Sequence, residues 1–125
     1  MHVKVANPEE AIELIREPCD FFLCTYVFEL LPSQAYGKRL LDIAFKLLNP
    51  GGFAMIQIKY STSDARTKSR MWGYKYDVAN MTAFPIDTFW ELSKAAGFEP
   101  LALTLQPRQE LVGDERYAYF FLQRR

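Results

Sequence analysis

The spacing of hydrophobic residues changes several times along the chain, and each change predicts a different element. The first residues suggest a short strand from Val3 to Val5, followed by a helix. Asn7 is a candidate N-cap, Pro8 suits the first helical position, and Glu10 completes a capping box. Pro18 predicts where this helix stops, because the residue before a proline avoids helical geometry.

The next segment, Cys19 to Leu31, is almost wholly apolar and shows no alternation. This pattern predicts a strand that is buried on both faces, as in parallel sheets covered by helices. Residues 33–48 then show helical spacing, with one apolar stripe and an opposite charged face. The stripe consists of Tyr36, Leu40, Ile43, Ala44, Leu47 and Leu48.

Paired glycines, Gly51 and Gly52, separate that helix from a strand that runs to Tyr60. A phosphate-binding loop needs the opposite order, a strand before the glycines and a helix after them. The glycines therefore predict a helix end rather than an anion site.

The rest of the chain predicts one more helix and two strands. The helix covers residues 85–97 and ends at Gly97, and the strands cover residues 98–105 and 116–123. Pro100 predicts either that the first of these strands lies at the edge of the sheet or that the proline stands at the start of the strand. About ten residues without a helix join the two strands, so we expect them to run antiparallel. The predicted order is (β)-α-β-α-β-loop-α-β-β, which is typical of an open, mostly parallel sheet.

Composition limits the classes of function. The 125 residues fit a single domain, residues 1–125, and fifteen basic residues balance fifteen acidic ones. This balance argues against nucleic acid as a main partner. No apolar run approaches the ~18 residues of a membrane span, and the N-terminus does not resemble a secretory signal. Two cysteines, Cys19 and Cys24, suit a reducing cytoplasm. No cluster with metal-ligand spacing is present, and His2 is the sole histidine.

Four segments in order resemble the C-terminal half of a class I S-adenosylmethionine (SAM)-dependent methyltransferase. They are "CDFFLCTYVFELLP", "LLNPGGFAMIQ", "FWELSKAAGFEPLAL" and "RYAYFFLQRR", which resemble that family's fourth to seventh strands with their flanking turns. The resemblance implies an α/β fold: a partial Rossmann-like sheet, mostly parallel with an antiparallel last strand, and helices on both faces. It also implies methyl transfer from SAM to an acceptor, which we expect to be a small molecule.

The chain also departs from the family pattern. The Gly-x-Gly-x-Gly cofactor loop and the acidic strand end that holds the ribose are absent, and Leu30 stands where the family has a histidine. The sequence therefore resembles a truncated methyltransferase domain that begins near the third strand. We expect this chain alone to bind SAM weakly or not at all, and to be inactive without the N-terminal half.

The cofactor side of the expected site lies after two strands. Ligands of open parallel sheets bind beyond the carboxyl ends of the strands, which here means Cys24, Thr25 and Tyr26. By resemblance, this turn lies against the methionine part of SAM, although a plain strand end in the core is an equal alternative. Asn7 is either the helix cap described above or, by resemblance, a residue that contacts adenine. We do not expect Cys24 to act as a nucleophile, because the nearby sequence supplies no base or positive charge that would lower its pKa.

The substrate side is assigned to Tyr60 and the aperiodic segment that follows it, residues 61–84. Loops of this length are often functional. The candidate substrate residues are Tyr60, Arg70, Trp72, Tyr74 and Tyr76. The mixture of aromatic and basic residues suits a substrate wall or lid, a plain surface insertion or, least well, a nucleic-acid contact.

An alternative function follows from the missing half of the fold. Without the family's first two strands, the apolar strand near residues 20–28 would expose a long edge, and such edges pair with other chains. The alternative is a non-catalytic interaction module. Either residues 2–5 pair with this edge within the chain, or two chains join edge to edge or by exchanging elements, and we expect a homodimer joined through this edge.

Overall fold

The computed structural model describes residues 2, 4–62, 82–106 and 116–125. Three helices are present in these residues: α1 (Glu10–Leu14), α2 (Gln34–Leu47) and α3 (Ile86–Ala95), with a short 3₁₀ helix at Phe28–Leu30. The strands are β1 (Cys19–Cys24), β2 (Leu48–Ser61), β3 (Phe84–Pro85), β4 (Phe98–Leu105) and β5 (Tyr117–Arg124). The short β3 was not predicted.

The strands form a mixed sheet in the order β1-β2-β5-β4, and β3 pairs with the end of β2. The strand pairs β1–β2 and β2–β3 are parallel, whereas β5 is antiparallel to both β2 and β4. Of the five strands in the described residues, four point the same way and the last is reversed, which confirms the predicted mostly parallel sheet with an antiparallel last strand. β4 lies at the edge, as Pro100 predicted, with an irregular register between Pro100 and Ala102.

The strand predicted for residues 19–31 is wrong beyond Cys24. The chain turns at Tyr26, which has a positive φ of 58°, and then enters the 3₁₀ helix. Phe28 is fully buried in the core and is not part of a strand edge. Apolar residues of a buried turn and of a buried strand look alike in sequence, which explains the error. Burial on both faces is also wrong, because Phe21 and Leu23 are more than half exposed.

The N-terminal segment differs from its prediction as well. Lys4 and Val5 belong to no strand, and Val3 lies outside the described residues. Glu9 is the N-cap of α1, and the side chain of Asn7 donates to Glu10 at 3.5 Å instead of accepting from the helix. The predicted Asn7 cap is wrong because a turn at residues 7–10 precedes the helix, with the Glu10 amide bonded to the Asn7 carbonyl.

Helix α2 begins where the sequence predicted, but it ends before the two glycines that were predicted to stop it. The Ser33 side chain accepts the Tyr36 amide at 3.2 Å, which is a normal N-cap. The helix ends at Leu47, so Gly51, with φ of 84°, lies inside β2 and does not stop the helix. Arg124 from β5 instead satisfies the helix end, donating to the carbonyls of Phe45 and Leu48 at 2.7 and 2.5 Å.

One face of the sheet, here the covered face, packs against α2 and α3. Strand residues of this face join apolar residues of the helices, such as Leu41, Ala44 and Phe89, in one core cluster. Aromatic rings dominate the contacts: Phe89 lies between Phe28, at 5.6 Å between centroids, and Phe120, at 4.7 Å. The strand residues of this face in the cluster include Phe22, Cys24, Ala54, Ile56, Ile58, Leu103, Ala118, Phe120 and Leu122.

The opposite face, here the open face, divides into an apolar and a polar part. The register places Leu23, Met55, Phe121 and Ala102 in one row across the four main strands, beside the pair Phe21–Phe53. Towards the carboxyl ends of the parallel strands the rows become polar: Gln57 with Tyr119, then Lys59 with Tyr117. None of these residues belongs to the core cluster. The α/β class is confirmed, and the described residues provide a helical layer for the covered face only.

Candidate functional site

The polar end of the open face lies where β1 and β2 both reach their carboxyl ends. Because these strands are parallel neighbours, the turn after Cys24 lies beside residues 57–60 of β2. This is the position at which open parallel sheets bind ligands. The sequence-predicted residues Cys24, Thr25, Tyr26 and Tyr60 all come from this end of the sheet.

A strained residue is fixed at the end of β1. Tyr26 adopts a left-handed backbone conformation, which is uncommon and costly for a residue other than glycine. Its amide donates to the side-chain carbonyl of Gln57 at 2.6 Å. Gln57 is 1% exposed, in the middle of the sheet. The side-chain amide of a buried residue thus holds the left-handed turn through a hydrogen bond.

The same glutamine continues into a group of three tyrosines, here the tyrosine cluster: Tyr26, Tyr117 and Tyr119. Its Nε2 donates to the Tyr119 hydroxyl at 3.3 Å. The rings of Tyr26 and Tyr117 meet edge to face, 5.6 Å between centroids, and the Tyr117 hydroxyl donates to the Glu29 carboxylate at 2.8 Å. Tyr26 remains 55% exposed, whereas Tyr117 and Tyr119 are partly buried, so the cluster presents mainly the Tyr26 ring to solvent.

Burial raises the pKa of two groups at this end of the sheet. Burial raises the pKa of the Tyr119 phenol above its ordinary value, and interaction with Tyr26 adds to the rise. Burial also raises the pKa of the Cys24 thiol to about 11. At neutral pH the thiol is therefore protonated, which agrees with the expectation that Cys24 is no nucleophile. The raised pKa of the Tyr119 phenol likewise favours its protonated form.

Tyr60 borders an open cleft of about 570 Å³ at the end of β2. The other lining residues are Ser61, Thr62, Pro85, Ile86 and Asp87, from the ends of β2 and β3 and the start of α3. The Tyr60 amide donates to the Arg116 carbonyl at 2.7 Å, which ties this end of β2 to the start of β5. The predicted substrate residues Arg70, Trp72, Tyr74 and Tyr76 lie outside the described residues.

Asn7 forms its described hydrogen bonds with a near neighbour in sequence. Besides the bond from its side chain to Glu10, its carbonyl accepts the Glu10 amide at 3.1 Å. It precedes α1, which packs against α2 and is tied to it by paired hydrogen bonds from Arg39 to Glu9 at 2.7 and 2.8 Å. Neither bond of Asn7 reaches the tyrosine cluster, and its role towards adenine stays a prediction.

Several residues of the site were not singled out from the sequence. These are Glu29, Gln57, Lys59, Tyr117 and Tyr119. A signal was present, since Gln57 and Lys59 interrupt an apolar strand at a spacing of two and therefore share one face. Both are nearly inaccessible, at 1% and 4% exposure. Polar residues at alternate positions of a central strand thus indicated this site better than the glycines before it did.

Metal sites and membrane spans are the other features that bear on function. Across residues 2, 4–62, 82–106 and 116–125, no three His, Cys, Asp or Glu side chains are grouped to hold a metal ion. Within the same ranges, no helix has both the length and the apolar character needed to cross a membrane.

Comparison of the fold with solved structures identifies many similar chains. One is 1,6-didemethyltoxoflavin-N1-methyltransferase from Burkholderia thailandensis, solved with 1,6-didemethyltoxoflavin and S-adenosylhomocysteine (TM-score 0.64, 19% identity, 84% of this chain and 43% of that one). Another is the N-methyltransferase NodS from Bradyrhizobium japonicum with S-adenosylhomocysteine (TM-score 0.62, 17% identity, 87% and 47%). A third is a SAM-dependent methyltransferase from Methanosarcina mazei (TM-score 0.60, 12% identity, 97% and 66%).

Comparison of the sequence with known proteins finds no relative, in contrast to comparison of the fold. No protein-family model matches the chain, and a search of curated proteins finds no match. The chain spans 31% to 66% of the length of the structures that it resembles, while they cover most of it. Identities below 20% establish shared architecture only. Over most of its length, the chain therefore has the fold of part of a SAM-dependent methyltransferase.

Proposed function

We propose that this chain provides the acceptor-side half of a SAM-dependent methyltransferase, which in the complete fold transfers a methyl group to a small molecule. The observation that carries the proposal is the strained Tyr26 turn, held by buried Gln57 at the carboxyl ends of β1 and β2. Strain that surrounding structure maintains is concentrated at ligand sites. The fold likeness to methyltransferases supports the choice of chemistry.

The residues present fit only part of SAM. The turn from Cys24 to Tyr26 offers backbone groups and an aromatic ring, which suit the methionine part. The cleft beside Tyr60 suits an acceptor, with Arg70, Trp72, Tyr74 and Tyr76 as further proposed substrate contacts. However, none of the six glycines of the sequence forms a Gly-x-Gly-x-Gly loop, so backbone amides for the amino-acid part are missing.

We therefore propose that the chain alone binds SAM weakly or not at all. Calorimetric titration with SAM and with S-adenosylhomocysteine tests this directly. We expect no saturation below about 1 mM ligand. Micromolar affinity of the isolated chain would refute the proposed dependence on a missing half.

We also propose a cytoplasmic location, which the two free cysteines in the described residues, Cys19 and Cys24, support.

A complementation experiment tests the enzymatic part of the proposal. An upstream segment with the strand–Gly-x-Gly-x-Gly–helix unit of a methyltransferase is fused to this chain, and methyl transfer to a panel of small acceptors is measured. We expect SAM binding and transfer to appear in the fusion. A matched fusion in which alanines replace the loop glycines should lose both. A correctly folded fusion that binds SAM and transfers nothing would contradict the enzymatic role.

The exposed apolar part of the open face supports a second candidate, a non-catalytic interaction module. Phe21, Leu23 and Phe53 are each 45% exposed or more, which is unusual for neighbouring large residues of a sheet. Inertness of the folded, SAM-binding fusion would favour this candidate over the enzyme.

A further inference from the structure

The short 3₁₀ helix, Phe28–Leu30, lies between the two sides of the candidate site. The Tyr26 turn ends just before it, on the cofactor side. On the acceptor side, residues 82–85 pass this helix on their way to the cleft beside Tyr60. The middle residue of the helix, Glu29, forms one hydrogen bond through its backbone carbonyl and another through its side chain. Glu29 is therefore placed to act on both sides.

The backbone of this region fixes the acceptor side. The Glu29 carbonyl accepts the Thr82 amide at 3.1 Å, and the Thr82 hydroxyl donates to the Leu31 carbonyl. The side chain of Gln34 donates to the Ala83 carbonyl at 2.9 Å. Thr82 is 2% exposed, so its bonds are shielded from water. The segment that enters β3 and α3 is thereby held against the 3₁₀ helix.

The side chain of Glu29 restricts an aromatic ring on the other side. Its carboxylate accepts the Tyr117 hydroxyl at 2.8 Å, across 88 positions of the sequence. Hydrogen bonds to a charged acceptor are roughly twice as strong as bonds between neutral groups. The Tyr117 ring in turn meets the Tyr26 ring edge to face, 5.6 Å between centroids. The carboxylate therefore restricts the Tyr117 ring and, through it, the Tyr26 ring.

We propose that Glu29 is a positioning residue for methyl transfer, which holds the Tyr26 ring at a fixed place relative to the acceptor cleft. In this reaction, a lone pair of the acceptor forms a bond to the methyl carbon while the bond from that carbon to sulfur breaks and leaves its electrons on sulfur. A proton carried by the acceptor passes to water. Acceptor and sulfur must lie in line across the carbon, and a misplacement of about 1 Å can cost about 100-fold in rate. This role rests on the proposed function and adds to it a residue that acts through two rings, without touching the substrate.

A bond that only stabilised the fold would predict a different response. Its loss would lower the free energy of unfolding, but the molecules still folded would keep both the ring contact and the rate. A positioning bond, in contrast, changes the folded molecules themselves. The bond from the Thr82 amide to the Glu29 backbone stays in place when the side chain is changed, so it reports whether the local fold survives.

Nuclear magnetic resonance of the 125-residue chain tests the ring contact without SAM. In Glu29→Ala, we expect the nuclear Overhauser signals between the Tyr26 and Tyr117 rings to be lost, while hydrogen exchange of the Thr82 amide changes by less than about threefold. Glu29→Gln keeps an acceptor oxygen and should retain the ring contact. An unchanged ring contact in folded Glu29→Ala would overturn the inference.

Tyr117→Phe removes the hydroxyl from the other end of the bond and provides a second variant in case Glu29→Ala does not fold. It should lose the ring contact to the same degree, and the double variant should lose no more than either single one. Loss of the Thr82 protection together with the ring contact in both single variants would overturn the inference, because the role of Glu29 would then be purely structural.

The methyltransferase fusion tests the rate. With both substrates saturating, Glu29→Ala should lower kcat about 10- to 100-fold and change the KM of the acceptor by less than about threefold, because only alignment is lost. Glu29→Gln should retain most of the rate, whereas a catalytic base would be lost in both variants. Glu99→Ala is the matched control, since this carboxylate is also partly buried and paired, with Arg125, but lies at the amino end of β4. We expect it to keep the original kcat.

The outcomes separate the role of Glu29 from the function of the whole fold. Equal kcat in the original fusion and in folded Glu29→Ala, or equal losses in Glu29→Ala and Glu99→Ala, would overturn the role of Glu29. Failure of the original fusion itself to transfer a methyl group would contradict the proposed function instead. The ring contacts in the 125-residue chain would then still decide whether Glu29 holds Tyr26.

Discussion

The side-chain carbonyl of Gln57 accepts the backbone amide of Tyr26 at 2.6 Å, so a buried residue of the central strand fixes the left-handed turn that ends β1. The bond joins two residues separated by 31 positions in sequence. It couples the stability of the sheet to the shape of the candidate site.

Removal of this acceptor should destabilise the protein. Gln57→Met keeps the length of the side chain but leaves the Tyr26 amide and the Tyr119 hydroxyl without this partner. We expect a loss of about 1–3 kcal/mol in the free energy of unfolding by urea. Gln123→Met is the control, because its bond to Gly51 is exposed, and it should change stability by less than about 0.5 kcal/mol. Equal losses of unfolding free energy in the two variants would contradict the role of Gln57 in holding the turn.

Gly97 should tolerate no side chain. Its φ is 105°, and a Cβ would lie 2.8 Å from the ring of Phe45. We expect Gly97→Ala to cost about 2–5 kcal/mol from backbone strain and overpacking together. At Gly51, φ is 84° but a Cβ would meet no atom within 4 Å, so Gly51→Ala should cost only about 1–2 kcal/mol. Thermal unfolding of both variants measures the difference, and equal costs would rule out the clash.

Arg124 should stabilise the end of α2. Its guanidinium lies 4.4 Å from the ring centre of Phe45 and donates to two carbonyls at the helix end. Arg124→Met keeps the apolar stem but removes the donors, and we expect a loss of about 1.5–3 kcal/mol. Arg125→Met removes only an exposed ion pair with Glu99 and should cost less than about 1 kcal/mol. A similar loss in both variants, measured by urea unfolding, would contradict this role.

Alkaline pH should destabilise the fold through Cys24. The unfolded thiol ionises near pH 9, whereas burial keeps the folded thiol protonated up to a pKa of about 11. Between these values the unfolded state binds fewer protons, so stability falls as the pH rises and is unaffected by this group below pH 9. Urea midpoints at pH 8 and pH 10.5 should therefore differ less in Cys24→Ala than in the original chain. The same pH dependence in both proteins would contradict a contribution of Cys24 to the loss of stability at alkaline pH.

The sequence predicted the elements whose signals are local. Helix α3 and strand β4 were located closely because Gly97 supplies the positive φ between them and Pro100 marks an edge. Ser33 likewise marks the start of α2. The errors concern segments where burial overrides local pattern. Cys19 to Leu31 reads as one apolar strand, yet Tyr26 turns the chain and Phe28 enters the core.

The sequence singled out some of the residues that the structure brings together at the candidate site and missed others. Cys24, Thr25 and Tyr26 follow from the rule that ligands bind at the carboxyl ends of parallel strands. Glu29, Tyr117 and Tyr119 could not be assigned to the same site, because the pairing of β5 with β2 brings together residues 62 to 88 positions apart. A register between distant strands is not encoded in the spacing of either one.

By itself, the sequence determined the alternation of helices and strands, the reversed last strand and the absence of a cofactor glycine loop, since each depends on local residue type or chain order. Only the tertiary structure decided that Gln57 holds Tyr26, that Arg124 ends α2, and that Phe21, Leu23, Phe53 and Phe121 meet on one exposed face. These relationships depend on strand register and on which face the helices cover. Both are settled by packing of the whole chain, where burial of distant apolar residues outweighs local preference.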